Sequence, residues 1–319
     1  MAEIERGILY LVATPIGNLA DFTFRAVEIL KQADAIACED TRHSRPLLDR
    51  YGIDRPLLAL HEHNEDAATP RLLERLTRGE TLALVSDAGT PLINDPGYPL
   101  VRRAREAGIR VAPIPGPCAL IAALSASGLP TDRFAFEGFP PRKPAARKAL
   151  FESLRNDPRT LIFYESSHRV EAALKDLALA FPPERRLVIA RELTKFYETL
   201  AATTVGAAPS LLEREPDMRK GEFVLLLEGA PPREETDELE PEPERVLRLL
   251  LGACSVKTAV ALTVEITGAR RETVYRTALR LARKDDEIAG DAGSSNLGLA
   301  ADSGNPQSGR PVRDELRSG

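Results

Sequence analysis

The chain has no tryptophan, only 5% aromatic residues and three cysteines in 319 residues. Each shortage excludes something. Cys38, Cys118 and Cys254 are odd in number and far apart, which suits reduced thiols and not a disulfide framework. Few aromatics argue against nucleic-acid recognition built on many stacked bases. No apolar run approaches the roughly 20 residues that span a bilayer; the best, 118–129, is short and rich in small residues. The opening MAEIERG lacks the basic-then-apolar order of a secretory signal, so a cytoplasmic protein is expected. Also missing are GxxxxGK[ST], GxGxxG, a GxSxG with triad partners, and HExxH. His61 and His63 alternate without a reinforcing Cys/His pair, so no metal is expected.

What is present is an ordinary globular balance, 43% hydrophobic and 29% charged, long enough for about two domains. The net charge of −5 hides strong segregation. Residues 228–244 carry eight acids against Arg233, whereas 245–284 carry nine bases against Glu265 and Glu272. A second basic cluster, PRKPAARK, occupies 141–148. Local patches set the field a partner meets, so an anionic partner stays open.

From 7 to 114, strand-like runs (ILYLVA, DAIAC, LLAL, TLALVS, IRVAPI) alternate with helical stretches, the pattern of a mostly parallel sheet covered on both faces. Further runs at 134–139, 160–166, 186–192, 197–205 and 222–229 come partly in succession, which predicts a mixed sheet. The reading is α/β: two lobes, 1–117 and 118–229, with a cleft between them. An acidic linker at 230–244 precedes a helix-turn-helix outline at 245–284. There Ser255 stands as N-cap and Gly268 as the break between helices. Val256, Val260 and Val264 share one helical face; Val274, Ala278 and Leu281 face inward on the next helix. Arg276, Arg280, Arg283 and Lys284 lie on another face of that helix. The pattern alone fits a plain helical cap equally well. Residues 285–319, dominated by Gly, Ser, Asn, Asp and Pro, are expected to be disordered.

Three loops follow strands of the first lobe, where open α/β sheets hold ligands. They are TPIGNLAD, CEDTRHSRPLL and SDAGTPLINDPGYP. In the third, Gly89 and Gly97 among prolines can bring backbone close to a ligand. In the second, Asp40 also reads as a helix N-cap with Arg42 on the surface.

Taken together, LVATPIGNLAD, ACEDTRHS, HEHNE, SDAGTPLINDPG, PGPCALIAALSASGLP, FEGFPPRK, FYESSHR, ARELTK and KGEFVLLLEG resemble the small-subunit ribosomal RNA methyltransferase I family. That family is a branch of the tetrapyrrole methylase fold, and the resemblance runs in order from about Leu9 to Gly229. It implies S-adenosylmethionine-dependent methylation of the ribose 2′-oxygen of a cytidine in the decoding region of 16S rRNA, and usually a homodimer. It implies cofactor contacts at Pro15, Asp87, Ala88, Gly89, Thr90, Ile93, Cys118, Ala119, Glu165 and Leu193. Thr90 replaces an aspartate of the wider fold, and Glu165 stands where an apolar residue is common. A ribose hydroxyl needs a base or a polarising cation, for which Asp40, His43 and Lys195 are candidates, with Glu165 a further one. Arg42, Arg142, Lys143, Arg147, Lys148, Arg276 and Arg280 are the expected RNA contacts. Two rivals stay open at this point: a methylase of small tetrapyrroles, and a ligand-sensing DNA-binding regulator.

Overall fold

The computed structural model describes residues 7–231 and 239–293, which fall into two compact units divided after Pro232. The larger unit contains two sheets of five strands each. Its first half runs β1 (Ile8–Val12), α1 (Phe24–Gln32), β2 (Ala35–Cys38), α2 (Thr41–Arg50), β3 (Leu57–Ala59), α3 (Glu65–Thr77), β4 (Leu82–Val85), α4 (Tyr98–Glu106) and β5 (Arg110–Ile114). All pairings are parallel, in the order β3-β2-β4-β1-β5. The sequence explains the order. The near-continuous apolar runs of β1, β2 and β4 are buried on both faces and lie inside, while half-exposed β3 and β5 form the edges. Thr23 starts α1 by accepting from Ala26 N at 3.2 Å.

The second half runs α5 (Ala119–Ser127), β6 (Phe134–Gly138), α6 (Pro144–Ser153), β7 (Thr160–Ser166), α7 (Val170–Ala180), β8 (Arg186–Arg191), β9 (Thr199–Thr204), α8 (Ala208–Arg214) and β10 (Glu222–Leu227). Its order is β6-β7-β10-β8-β9, with β6 parallel to β7 and the other pairs antiparallel. Strand alternation gives this sheet two apolar faces. Phe163, Leu225 and Ile189 meet Leu174 and Leu177 of α7 on one face. Ile162, Val188, Val224 and Leu226 meet Leu120 and Leu124 of α5 on the other. Ile16, from the loop after β1, joins the second cluster. The first lobe is therefore docked on the second through an apolar side chain of its ligand-type loop.

The smaller unit packs α9 (Pro241–Leu251), α10 (Val256–Thr267) and α11 (Arg271–Gly293) around Leu247, Val260, Val274 and Ala278. Ser255 caps α10 by accepting from Thr258 N, and Gly268 ends it in the left-handed region at φ 68°. Two boundaries differ from the sequence reading. Helix α9 begins at Pro241, inside the acidic stretch read as linker, because Pro at the first turn and Glu242 and Glu244 beside the helix N-terminus favour a start there. Helix α11 continues to Gly293, so 285–293 are helical where disorder was expected; residues 232–238 and 294–319 lie outside the described residues.

One basic residue expected at the RNA surface is instead buried. Arg147, 5% exposed, donates from Nε to Asp176 Oδ2 at 2.8 Å, with Nη2 2.6 Å from the same oxygen. A guanidinium this enclosed cannot meet phosphate, so Arg147 leaves the set of RNA candidates. Replacing it by Ala would leave the buried Asp176 with Lys148 at 3.6 Å as its ion-pair partner and no guanidinium, and removal of one member of a buried pair costs about 3–5 kcal/mol. Urea unfolding of Arg147→Ala should show that loss, whereas a surface phosphate contact would leave the midpoint unchanged.

Candidate functional site

The loop after β1 and the loop after β4 are stitched together by backbone. Thr14 N donates to Gly89 O at 2.9 Å and Gly89 N to Thr14 O at 3.1 Å. Gly89 sits at φ 89°, and a Cβ there would lie 3.2 Å from Ile16 Cγ2, so both conformation and space call for glycine. Two non-glycine residues of the same loop, Leu92 at φ 70° and Asn94 at φ 65°, are also left-handed. Such backbone persists only where surroundings fix it. Here Thr90 Oγ1 donates to Pro117 O at 2.9 Å and Ser86 Oγ to Asp95 Oδ2 at 2.5 Å.

Around this stitch lie two neighbouring compartments that share Ile16, Asp87, Ala88 and Glu222. The larger, about 430 Å³, is bordered by the β4 loop on one side and by Tyr164, Leu193 and Val224 of the second lobe on the other. The acids whose side chains can face it are Asp87, Asp95 and Glu222, and no Lys, Arg or His is among the described residues that line it. Burial pushes the Asp95 carboxyl above its ordinary value, against the hydrogen bond from Ser86, and the Asp87 charge adds to the rise. The smaller, about 280 Å³, takes Pro15, Gly17, His43 and Lys195 as its wall.

Lys195 is clamped. Its Nζ lies 3.0 Å from Glu192 Oε1 and 2.9 Å from Glu222 Oε2. Partial burial works against its charge, but the hydrogen bonds and charges of Glu222 and Glu192 outweigh that and raise the ammonium above its ordinary value. Lys195 is thus a cation at neutral pH and not a proton acceptor. Its stem is covered by the first lobe, since a Cβ on Gly17 would come within 2.4 Å of Lys195 Cγ.

The structure sorts the residues singled out in the sequence. Asp87, Ala88, Gly89, Thr90, Ile93, Ala119 and Leu193 border the larger compartment, while Pro15, His43 and Lys195 border the smaller. Thr90 commits its hydroxyl to Pro117. Cys118 borders neither; it stands at the N-cap position of α5 and packs on the apolar cluster that contains Leu120. Glu165 borders the cavity through backbone only. It pairs with Phe223 across β7 and β10, on the face of Phe163, while Tyr164 pairs with Val224 on the cavity side. Its carboxylate, pushed up by burial, accepts from Ser166 N and lies 3.4 Å from Arg169 Nε. Arg169 also donates to Pro140 O, so the pair braces the loop after β6 and is no acid or base for the cavity. Asp40 borders neither compartment and caps α2, accepting from Arg42 N at 2.8 Å, which leaves its carboxylate positioned for structure. Arg42, Arg142 and Lys143 are exposed; Lys148, near Asp176 at 3.6 Å, is half-exposed. Arg280 is exposed and Arg276 lies 3.6 Å from Glu272.

Sequence reasoning missed Glu192, Glu222, Tyr164 and Asn94. Glu192 and Glu222 meet Lys195 only because β8 and β10 pair, placing Glu192 N against Glu222 O at 3.0 Å. The one available signal was the pair of motifs ARELTK and KGEF, in which Glu192 follows β8 and Glu222 opens the neighbouring β10.

Residues 8–209 match the model of the Tetrapyrrole (Corrin/Porphyrin) Methylases, and 237–282 that of the RsmI C-terminal HTH domain. Among solved structures, uroporphyrin-III-C-methyltransferase of Thermus thermophilus shares the fold at TM-score 0.51 and 24% identity, covering 70% of this chain and 94% of its own. A diphthine synthase does so at TM-score 0.54 and 14% identity, covering 70% and 90%. The fold is that of the tetrapyrrole methylases. Proteins named Ribosomal RNA small subunit methyltransferase I are far more similar in sequence. That of Haemophilus influenzae is 50% identical over 86% of this chain and 96% of its own, and that of Xylella fastidiosa 53% identical over 84% and 98%. The chain belongs to the ribosomal RNA small subunit methyltransferase I family.

The packing of Gly17 on Lys195 makes a direct forecast. Gly17→Ala should push the lysine stem away from Glu192 and Glu222. The Lys195 ammonium resonance, slowed in exchange by two carboxylate partners in the wild type, should vanish from spectra of 15N-lysine-labelled protein. An unchanged resonance would show that the loop yields instead.

Proposed function

We propose that the protein transfers a methyl group from S-adenosylmethionine to the ribose 2′-oxygen of a cytidine in small-subunit ribosomal RNA, acting in the cytoplasm as a homodimer. The observation that carries this reading is the charge of the larger compartment, which has carboxylates and no basic side chain among the described residues that line it. A phosphate-bearing cofactor would be repelled there. S-adenosylmethionine, with its sulfonium and ammonium groups, would be attracted. When bound it supplies an electrophilic methyl group. Asp87 and Asp95 would hold its positive charge, and the Gly89 loop would approach it with backbone.

The smaller compartment, across the shared wall, would take the acceptor ribose. Transfer needs donor and hydroxyl in line at close approach, and compartments sharing Asp87 and Ala88 suit that geometry. Lys195, held as an ammonium, would polarise the hydroxyl or engage an adjacent phosphate. His43 supplies an imidazole at the same wall, the commonest general base near neutral pH. Exposed Arg42, Arg142, Lys143 and Arg280 would engage phosphates, so RNA affinity should fall steeply with salt. The names of the relatives support RNA as the substrate class.

Incubation with tritiated S-adenosylmethionine and 30S subunits from cells lacking the enzyme should place label on a cytidine ribose; label on a base, or none, overturns the reading. A second forecast follows from Asp95. A carboxyl raised above its ordinary value is partly protonated just above the ordinary carboxylate range, and a bound cation favours its ionised form. Donor binding should therefore release protons there and tighten as pH rises through that range. Calorimetry in buffers of different ionisation heat should detect the release in the wild type and lose it in Asp95→Asn.

A further inference from the structure

The chain is poor in aromatics, yet Phe196 and Tyr197 directly follow Lys195 and are 93% and 66% exposed. Consecutive Cα atoms lie about 3.8 Å apart, so the rings start within two residues of the smaller compartment's wall. They are held and not loose. Glu192 and Thr194, at φ 50° and 65°, put two non-glycine residues in the left-handed region just before them. Lys195 N donates to Glu192 O at 3.0 Å, Thr194 N to Glu198 Oε2 at 2.6 Å and Glu198 N to Lys195 O at 3.1 Å. Buried Arg191 reaches Tyr197 O at 3.2 Å and Lys220 O at 2.5 Å. A strained, heavily bonded loop thus spends its order on presenting two bare rings. Their centroids are 5.0 Å apart and their planes 88° apart, so together they form a corner, one ring a floor and the other a wall.

We infer that this corner stacks the base of one unpaired nucleotide of the RNA, so that its ribose enters the smaller compartment beside Lys195 and His43. The proposal rests on reading that compartment as the acceptor side. A nucleotide is favoured because an aromatic face beside an ammonium matches a base beside a sugar-phosphate. A second copy of the chain is not. The rings are flanked by Lys195 and exposed Glu198, charged neighbours that an apolar contact between copies would have to desolvate.

The test uses two seven-nucleotide single-stranded RNAs at low ionic strength, one with a central cytidine and one abasic at that position. The wild type should bind the cytidine RNA roughly tenfold more tightly than the abasic one, in the range of stacking on one aromatic. In Phe196→Ala/Tyr197→Ala that preference should collapse to within twofold, while S-adenosylmethionine affinity and molar mass by light scattering stay unchanged. Because the chain has no tryptophan, Tyr197→Trp gives a single reporter whose emission should be quenched by the cytidine RNA and not by the abasic one. A wild type that does not discriminate, an alanine variant that still does, or a variant whose mass halves would overturn the proposal. The methyl-transfer reading fails separately, if wild-type enzyme leaves 30S subunits unlabelled.

Discussion

Two backbone hydrogen bonds between Thr14 and Gly89 hold together everything that makes this molecule chemically specific. They join the ends of β1 and β4, neighbours at the centre of the parallel sheet, just where the strands release their loops. The stitch has two consequences. It fixes the left-handed turn of Gly89 next to Asp87 and Ala88, which both compartments share, and it aims Ile16 outward into the apolar face of the second sheet. A cleft between two lobes would otherwise breathe. Here the loop that borders the ligand space is itself part of the second lobe's core, so wall and hinge are one element.

Charge is organised around that wall with equal economy. The larger compartment gathers acids, and burial, more than the nearby Asp87 charge, pushes the Asp95 carboxyl above its ordinary value despite the hydrogen bond from Ser86. A cationic ligand would offset that burial cost. Beyond the wall a cation joins the acids: Lys195 offers an ammonium, kept charged by Glu192 and Glu222. An acidic pocket would by itself repel a polyanionic substrate. The Lys195 ammonium lowers that repulsion at close range, although with Glu192 and Glu222 the cluster still carries net negative charge. Glu165 and Arg147 belong to a different purpose. Both charges lie beneath helices of the second lobe, where they brace loops and helices and touch no ligand space.

Much of this was legible in the sequence. Apolar runs alternating with helical stretches foretold the parallel sheet, and strands in succession foretold the mixed one, because burial on two faces or one leaves its period in the chain. The loops after β1 and β4 stood out through Gly and Pro at positions needing unusual backbone. What misled was residue type without direction. Arg147 in PRKPAARK reads as one more surface base, yet the helical period turns it inward onto Asp176, 29 residues away. Glu165 reads as a cavity carboxylate until strand pairing sets it opposite Phe223 and hence on the far face.

The sequence by itself determined the elements, their burial and the loops with ligand-type chemistry, since these depend on local periodicity and on backbone that only certain residues tolerate. The tertiary structure decided which charges meet. Glu192, Lys195 and Glu222 become one cluster only because β8 and β10 run antiparallel and end together, and Gly17 covers that lysine only because the lobes dock. Such contacts join residues far apart in sequence, through pairings and docking that no local pattern records.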